Sequence, residues 1–139
     1  MCLLDEVMEW DPQHICCRTG THRLPDNPLR SHGLLGIACG IEYAAQAMAV
    51  HGALCAGAAP GHGPEVGLLA SVREVRLHVL RLDDIGADLI CNATRVAGDR
   101  GTALYEFALW SEAPASREAR ELLSGRAAVV LDAGNRLNL

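Results

Sequence analysis

This chain contains no lysine: each of its 12 cationic side chains is an arginine, set against 17 carboxylates. The net charge is -5 at pH 7, and no segment gathers arginine into a basic stripe. Proteins that bind nucleic acid use such a stripe to contact phosphates, so we expect no nucleic acid partner. An acidic carrier protein remains a compatible partner, because it could dock on a local group of arginines.

Aromatic residues and ordered cysteine patterns are also scarce. Aromatic residues make up 4% of the chain and hydrophobic residues 50%, so small aliphatic side chains dominate the expected core. The six cysteines form no C-x-x-C pair and show no Cys/His spacing of a zinc site. We expect them to be buried, reduced thiols that act as small hydrophobic residues. Neither a metal nor an organic cofactor is expected.

No apolar run is free of polar residues over a membrane-spanning length. The stretch 34–59 is long enough, but Glu42, Gln46 and His51 interrupt it. An acid near the centre of a membrane helix costs roughly 2.5–3.5 kcal/mol on insertion scales. Acidic residues within 5–11 also break up any apolar region of a signal peptide. We therefore expect a cytoplasmic protein without a membrane span.

The pattern along the chain predicts one domain over residues 1–139, with a single long helix. That apolar helix is expected from about residue 35 to 57, where a Gly- and Pro-rich break ends it. A short helical turn is expected before the first strand, and residues 111–125 form a polar insert that favours helix. The predicted strands are 7–10, 14–19, 69–81, 89–96, 102–110 and 126–132.

Strands and helix in separate blocks are typical of an α+β layer architecture. A helix that is apolar on every face must be covered, and a sheet curled around it would cover it. One carboxylate, Glu42, lies inside this helix. Burying a lone carboxylate is expensive, so its position needs a structural or a catalytic reason.

Three motifs resemble those of the hotdog-fold 3-hydroxyacyl thioester dehydratases. Residues 3–11 (LLDEVMEWD) are similar to the family's opening LLVDRV-x-E-x-D, and residues 42–46 (EYAAQ) match its E-x-x-A-Q helix motif. Residues 27–29 (NPL) lead to His32, as a Pro-aromatic pair leads to the family's histidine. The resemblance covers nearly the whole chain. It implies a hotdog fold, in which a curled antiparallel sheet wraps around one long central helix.

One segment departs from that family. The usual loop reads H-F-P-G-x-P, whereas residues 32–36 read HGLLG, and only ten positions separate His32 from Glu42. The shorter form resembles the dehydratase-like proteins of aryl-polyene biosynthesis clusters, in which two hotdog proteins are thought to act together. The difference lies in the loop that begins at His32, so it bears on the role that the resemblance implies for His32 more than on that implied for Glu42.

The resemblance implies dehydration of 3-hydroxyacyl thioesters, carried on acyl carrier protein or coenzyme A, in fatty-acid-like or polyene lipid biosynthesis. His32 would remove the C2 proton, because an imidazole titrates near neutrality. Glu42 would protonate the leaving hydroxyl, provided that burial raises its pKa. Backbone N–H groups at the helix start, with Gly36 and Gly40 allowing close approach, would bind the thioester oxygen. Gln46, one turn on, completes the predicted substrate-binding set or orients the acid.

Other interpretations stay open. Glu42 also fits a structural acid at a helix N-terminus, where negative charge is stabilised. His32 also fits a solvent-facing loop residue, which leaves His22 as a second candidate base. Arg23, Arg30 and Arg73 are candidates to receive a phosphate or an acidic carrier.

The alternative functions are a hotdog acyl thioesterase and a weakly active partner subunit of a hetero-oligomeric dehydratase. An open sheet edge invites pairing, so we expect a homodimer or higher oligomer, or a hetero-oligomer with a second hotdog protein.

Overall fold

The computed structural model of the protein describes residues 2–58, 66–99, 101–113 and 118–132. One long helix and six strands make up most of this part of the chain. In order they are β1 (Glu6–Asp11), β2 (His14–Thr19), α1 (Gly40–Ala58), β3 (Val66–Leu77), β4 (Leu89–Gly98), β5 (Thr102–Ser111) and β6 (Arg120–Asp132). Two short 3-10 turns, Thr21–Arg23 and Ile37–Cys39, precede α1.

The six strands form one sheet in the order β1-β2-β4-β5-β6-β3. Every neighbouring pair is antiparallel, and β1 and β3 are the two edges. Helix α1 packs on one face of this sheet and contacts β2, β3, β4 and β5. The predicted α+β architecture, with one helix against a curled antiparallel sheet, is confirmed.

Two predictions about local structure are wrong. Residues 120–125 form the first half of β6 rather than a helix. Tertiary pairing overrides their helical preference, because Leu123 pairs with Leu109 on one side and with Leu77 on the other. No helical turn occurs in residues 2–5 either. There Leu3 is buried, and its N–H donates to Oε1 of Gln46 at 2.7 Å, which ties the N-terminal segment to α1.

The core lies between α1 and the inner face of the sheet, and it consists mainly of small aliphatic side chains. Cys17 and Cys91 lie opposite each other on β2 and β4, and both are buried. Burial raises the pKa of Cys17 to about 11 and also raises that of Cys91, so both are protonated thiols. The expectation of burial is wrong for Cys2, which is exposed, while the remaining three cysteines are half-buried.

Helix α1 is covered by the sheet on one side only. The side chains of Glu42, Ala49 and Ala53 are exposed, and their spacing places them along one line of the helix surface. We call these three residues the open flank of α1. The prediction that the helix is covered on every face is therefore not met within the single chain. No helix in the described residues is long and apolar enough to cross a membrane.

At Gly40, the first turn of α1 approaches the sheet closely. A Cβ at this position would lie 3.0 Å from Cδ2 of Leu109 and closer still to Leu123. Only glycine therefore lets the first turn of α1 sit against β5 and β6. Gly52, further along the helix, has nothing within 4 Å of the corresponding position.

We expect Gly40→Ala to lower the free energy of unfolding by about 1–3 kcal/mol, because it overpacks the contact with Leu109 and Leu123. Gly52→Ala is the matched control, and it should stabilise by about 0.4–1 kcal/mol through the reduced entropy of the unfolded chain. Urea unfolding of both variants measures the difference. If the two variants unfold at the same urea concentration, the start of the helix is not closely packed.

Candidate active site

The segment before α1 is held by a short ladder to the β3–β4 connection. The N–H of Ile37 donates to the carbonyl of Leu80 at 3.1 Å, and the N–H of Leu82 donates to the carbonyl of Leu35 at 2.7 Å. Leu35 and Leu82 are fully buried beneath this ladder. The start of the helix is therefore fixed by tertiary contacts rather than by a side-chain cap.

Asp83 reinforces the same junction. Its carboxylate accepts from the N–H of Leu35 at 2.9 Å and from the guanidinium of Arg81. The Arg81 hydrogen bonds hold the pKa of Asp83 well below its usual range, so this side chain is charged throughout the physiological range. An almost fully buried carboxylate thus joins the two segments that meet at the helix start.

Tyr43 fixes the rotation of α1. Its side chain is fully buried, and its hydroxyl lies 2.8 Å from Oγ1 of Thr21 and accepts from Nδ2 of Asn27 at 3.1 Å. Burial raises the pKa of Tyr43, which keeps the phenol neutral. Since Tyr43 points into the core, the adjacent Glu42 faces outward on the open flank. This network was missed by sequence reasoning, although a tyrosine in an apolar helix signals that its hydroxyl needs a partner.

Glu42 itself is exposed in the first turn of α1. No side chain in the described part of the chain donates a hydrogen bond to it. The burial that the sequence predicted for this carboxylate is therefore not provided within the single chain. The position still places negative charge at a helix N-terminus, where the helix dipole stabilises it.

His32 occupies a tight turn. The backbones of Ser31 and Leu34 exchange hydrogen bonds of 2.9 and 3.0 Å, and φ is 53° at His32 and 78° at Gly33. Positive φ at both central residues is the geometry of a type I′ hairpin turn. Nη1 of Arg30 donates to the carbonyl of Gly33 at 2.9 Å and supports the turn. The imidazole is exposed, and no hydrogen bond joins it to Glu42 among the described residues.

The remaining predicted residues have different surroundings. The N–H of Gly40 donates within the 3-10 turn, to Ile37 and Ala38, and so is not free for a substrate. The N–H of Gly36 takes no part in the two ladder hydrogen bonds, and a Cβ at this position would have nothing within 4 Å. Gln46 is half-buried, and its Oε1 is engaged by the N-terminal segment. Glu42 and Gln46 lie one turn apart on α1.

The other candidate base, His22, is fully buried. Its Nε2 donates to the carbonyl of Ile85 at 2.9 Å, while Nδ1 is buried without a partner. Burial lowers the pKa of His22, so the ring is neutral. Its enclosure argues against a role as a base that must reach a substrate.

His51 and His78 are also engaged. His51 is buried, with Nδ1 2.7 Å from the hydroxyl of Tyr105 and Nε2 2.8 Å from the carbonyl of Asp11. The pKa of Tyr105 is raised to about 12 by burial, so its hydroxyl donates to Nδ1. Nε2 of His78 lies 3.0 Å from Oε2 of Glu121. No group of three or more His, Cys, Asp or Glu that could hold a metal ion occurs among the described residues.

Comparison with solved structures identifies the architecture as the hotdog fold. The dehydratase heterocomplex ApeI:P from Xenorhabdus doucetiae is similar, with a TM-score of 0.77 and 21% identity over 93% of this chain and 82% of that one. A thioesterase family protein from Silicibacter pomeroyi follows, with a TM-score of 0.65 and 13% identity over 91% and 82%. Thioesterase HI1161 from Haemophilus influenzae has a TM-score of 0.63 and 11% identity over 95% and 81%.

The family can be stated more narrowly. Residues 1–133 match the ApeP-like family, described as ApeP dehydratase. The chain therefore belongs to the ApeP-like dehydratase family. No curated protein matches the sequence.

The buried, neutral ring of His22 predicts a pH dependence of stability. Below about pH 6.5 the unfolded chain protonates this histidine while the folded chain does not, so stability falls as pH decreases. The slope for one such group approaches about 1.4 kcal/mol per pH unit. His22→Gln retains a donor for Ile85 and should remove this part of the slope between pH 7 and pH 5. The free energy of unfolding of both proteins is measured at several pH values in that range. If it falls equally with pH in both, His22 is not the source of the slope.

Proposed function

We propose that this chain dehydrates 3-hydroxyacyl thioesters to trans-2-enoyl thioesters, in a cytoplasmic fatty-acid-like or polyene lipid pathway. The acyl group would be carried on acyl carrier protein or coenzyme A. The observation that carries the proposal is the Glu42 carboxylate in the first turn of α1, in a chain that matches a dehydratase family over residues 1–133. The exposure of Glu42 leaves it accessible to a substrate.

The reaction removes a proton from C2 and the hydroxyl from C3 as water. In the proposal Glu42 protonates the leaving hydroxyl, and a histidine takes the C2 proton. Each such group contributes typically 10²–10⁴-fold to the rate. Negative charge that builds on the thioester oxygen would be stabilised by N–H groups near the helix start. Of the two predicted glycines, Gly36 is proposed for this role, because the N–H of Gly40 already donates within the 3-10 turn. This acid–base chemistry needs no redox cofactor.

The base must be a histidine that the substrate can reach. Of the two histidines weighed as the base, His32 is exposed and His22 is enclosed in the core. We therefore propose that His32, or a histidine of a partner subunit, faces Glu42 across an interface. The enclosed, dry environment that favours a protonated acid would then come from the partner.

A partner subunit is also favoured by the edge strand. β3 pairs with β6 on one side, and its other side has no strand among the described residues. Exposed strand edges pair readily with another chain. The similarity to the ApeI:P heterocomplex supports a second hotdog protein as that partner, and a second copy of this chain is the alternative.

We expect the purified protein to have at least twice the mass of a single chain at micromolar concentration. Light scattering after gel filtration, with and without the co-expressed second hotdog subunit, measures this directly. A compact monomer under both conditions would refute the proposed interface.

A thioesterase is the second candidate. The carboxylate of Glu42 is open to water, as an acid that activates a water molecule for thioester hydrolysis must be. The third alternative is a weakly active subunit that mainly completes its partner. The three functions differ in product, because dehydration yields a conjugated enoyl thioester and hydrolysis yields a free thiol.

Glu42→Gln should lower the rate of enoyl formation by about 10²–10⁴-fold, because the amide cannot donate the acidic proton. The assay follows enoyl absorbance and free thiol with a 3-hydroxyacyl thioester, using the complex of this chain with its partner. Glu9→Gln, an exposed acid on β1, is the matched control and should retain wild-type turnover.

The products separate the alternatives. Enoyl product that depends on Glu42 supports the dehydratase, and thiol release that depends on Glu42 supports the thioesterase. Wild-type turnover by Glu42→Gln would rule out the acid assignment. If activity persists with Glu42→Gln in this subunit but is lost when the partner is altered, this chain is a supporting subunit.

A further inference from the structure

The peptide unit between Leu35 and Gly36 has a direction that its neighbours fix. The carbonyl of Leu35 accepts from the N–H of Leu82 at 2.7 Å. The peptide bonds of the described residues are all trans, so the N–H of Gly36 points opposite to that carbonyl and away from Leu82. Within the described part of the chain, no acceptor takes this N–H. It is the donor that the proposed function assigns to the thioester oxygen.

A second hydrogen bond holds Leu35 from its other end. The N–H of Leu35 donates to Oδ1 of Asp83 at 2.9 Å. Asp83 directly follows Leu82 in the chain, so two consecutive residues hold the N–H and the carbonyl of Leu35. With both ends of Leu35 held, the peptide unit that it shares with Gly36 cannot turn over without breaking this pair of contacts.

The Asp83 side chain is itself rigidly held. It is 5% exposed, and Nε of Arg81 donates to its Oδ1 at 3.0 Å and to its Oδ2 at 3.1 Å. A guanidinium that contacts both oxygens fixes the plane of a carboxylate. Burying such an ion pair contributes little net stability, because desolvation offsets the attraction. A fixed acceptor for one backbone N–H is therefore a better reason for this pair than stability alone.

We propose that Asp83 is a positioning residue for the elimination: by holding Leu35, it aims the N–H of Gly36 at the thioester oxygen on which charge develops. A donor of this kind is effective when it is oriented before the reaction, because no reorganisation is then needed in the transition state. Asp83 itself does not touch the substrate. The inference rests on the proposed function, since it concerns the same thioester oxygen.

Two substitutions separate the anchor from the donor. Asp83→Ala removes the anchor, and Gly36→Pro removes the N–H. Proline fits position 36, because φ of Gly36 is -64° and a Cβ there would have nothing within 4 Å. The matched control is Asp84→Ala, an adjacent exposed acid that lies 3.9 Å from Nε of Arg81. All variants are studied in the complex with the partner subunit, and urea unfolding checks that each one folds.

The first readout is the rate of enoyl formation. We expect Gly36→Pro to lower kcat by about 10²–10³-fold, the usual effect of removing one oxyanion donor. Asp83→Ala should lower kcat by about tenfold or more with little change in KM, because the interaction is made in the transition state. Asp84→Ala should keep the wild-type kcat.

The double variant tests whether Asp83 acts through Gly36. It should be no slower than Gly36→Pro alone, because the anchor has no effect once the N–H is gone. Losses that multiply in the double variant would make Asp83 an independent structural residue and overturn the inference. A wild-type kcat in Asp83→Ala would also overturn it.

The conservative variant Asp83→Asn keeps an acceptor for Leu35, although its amide no longer matches Arg81. It should recover part of the kcat that is lost in Asp83→Ala. No recovery would make the ion pair, and not the hydrogen bond to Leu35, the reason for the loss, and would overturn the inference. If Asp83→Ala does not fold, Asp83→Asn replaces it in every measurement, and a wild-type kcat or a multiplied loss then overturns the inference.

The second readout does not depend on turnover. Butyryl coenzyme A lacks the 3-hydroxyl and cannot eliminate water, and a ¹³C label marks its thioester carbonyl in the infrared spectrum. Binding to the wild-type complex should lower the carbonyl stretching frequency, because a hydrogen bond weakens the C=O bond. Asp83→Ala should remove most of this shift, and Asp84→Ala should retain it.

The two readouts together distinguish the inference from the proposed function. If the infrared shift depends on Asp83 while no enoyl product forms, the proposed function fails and the role of Asp83 stands. If the wild type shows no shift, or if Asp83→Ala retains it in full, the role of Asp83 is wrong whatever the activity.

Discussion

The buried hydroxyl of Tyr43 is the interaction on which the candidate site depends. A phenol in a core is tolerated when its oxygen is hydrogen-bonded, and Thr21 and Asn27 supply the two partners. Both lie in the loop between β2 and α1, so the same contacts hold the loop and set the rotation of the helix. Loss of these contacts would free the helix to rotate, and the direction of the neighbouring Glu42 would no longer be defined.

The sheet covers only one side of the helix, and this limited coverage explains the chemistry of the exposed side. Along the open flank the helix presents one carboxylate followed by alanines. A flank of this composition is neither a normal solvent-exposed surface, which would carry several charges, nor a core face, which would carry large aliphatic residues. In the proposed assembly, a second subunit would enclose this flank.

Much of the architecture could be predicted because it follows from local patterns. β2 and the hairpin of β4 and β5 alternate between apolar and polar residues, and α1 is a long apolar run between a loop and a Gly- and Pro-rich break. The start of β6 could not be predicted, because residues 120–125 have helical preferences and become a strand only by pairing with β3 and β5 at once. Sequence patterns of this kind contain no information about such long-range partners.

The site was less predictable for a similar reason. The helix was expected from about residue 35, but it begins at Gly40 after a 3-10 turn. The exposure of Glu42 in its first turn depends on what the sheet fails to cover. The burial expected for Glu42 followed from the apolar composition of the helix, and a single sheet of this size does not enclose a helix on all sides. His32 was chosen by its place before the helix, whereas its backbone is shaped by a two-residue turn with Gly33. The tertiary role of Asp83 had no local signal at all.

The strand order also has a consequence for how the chain folds. β3 has one described neighbour in the sheet, and that neighbour is the last of the described strands. Long-range pairing of this kind is slow, because loop-closure entropy is lost before the contacts form. During synthesis, β3 therefore emerges well before its partner and stays unpaired until β6 has been made. A protein shortened before β6 would leave β3 without its described neighbour in the sheet, even though every residue of β3 had been translated.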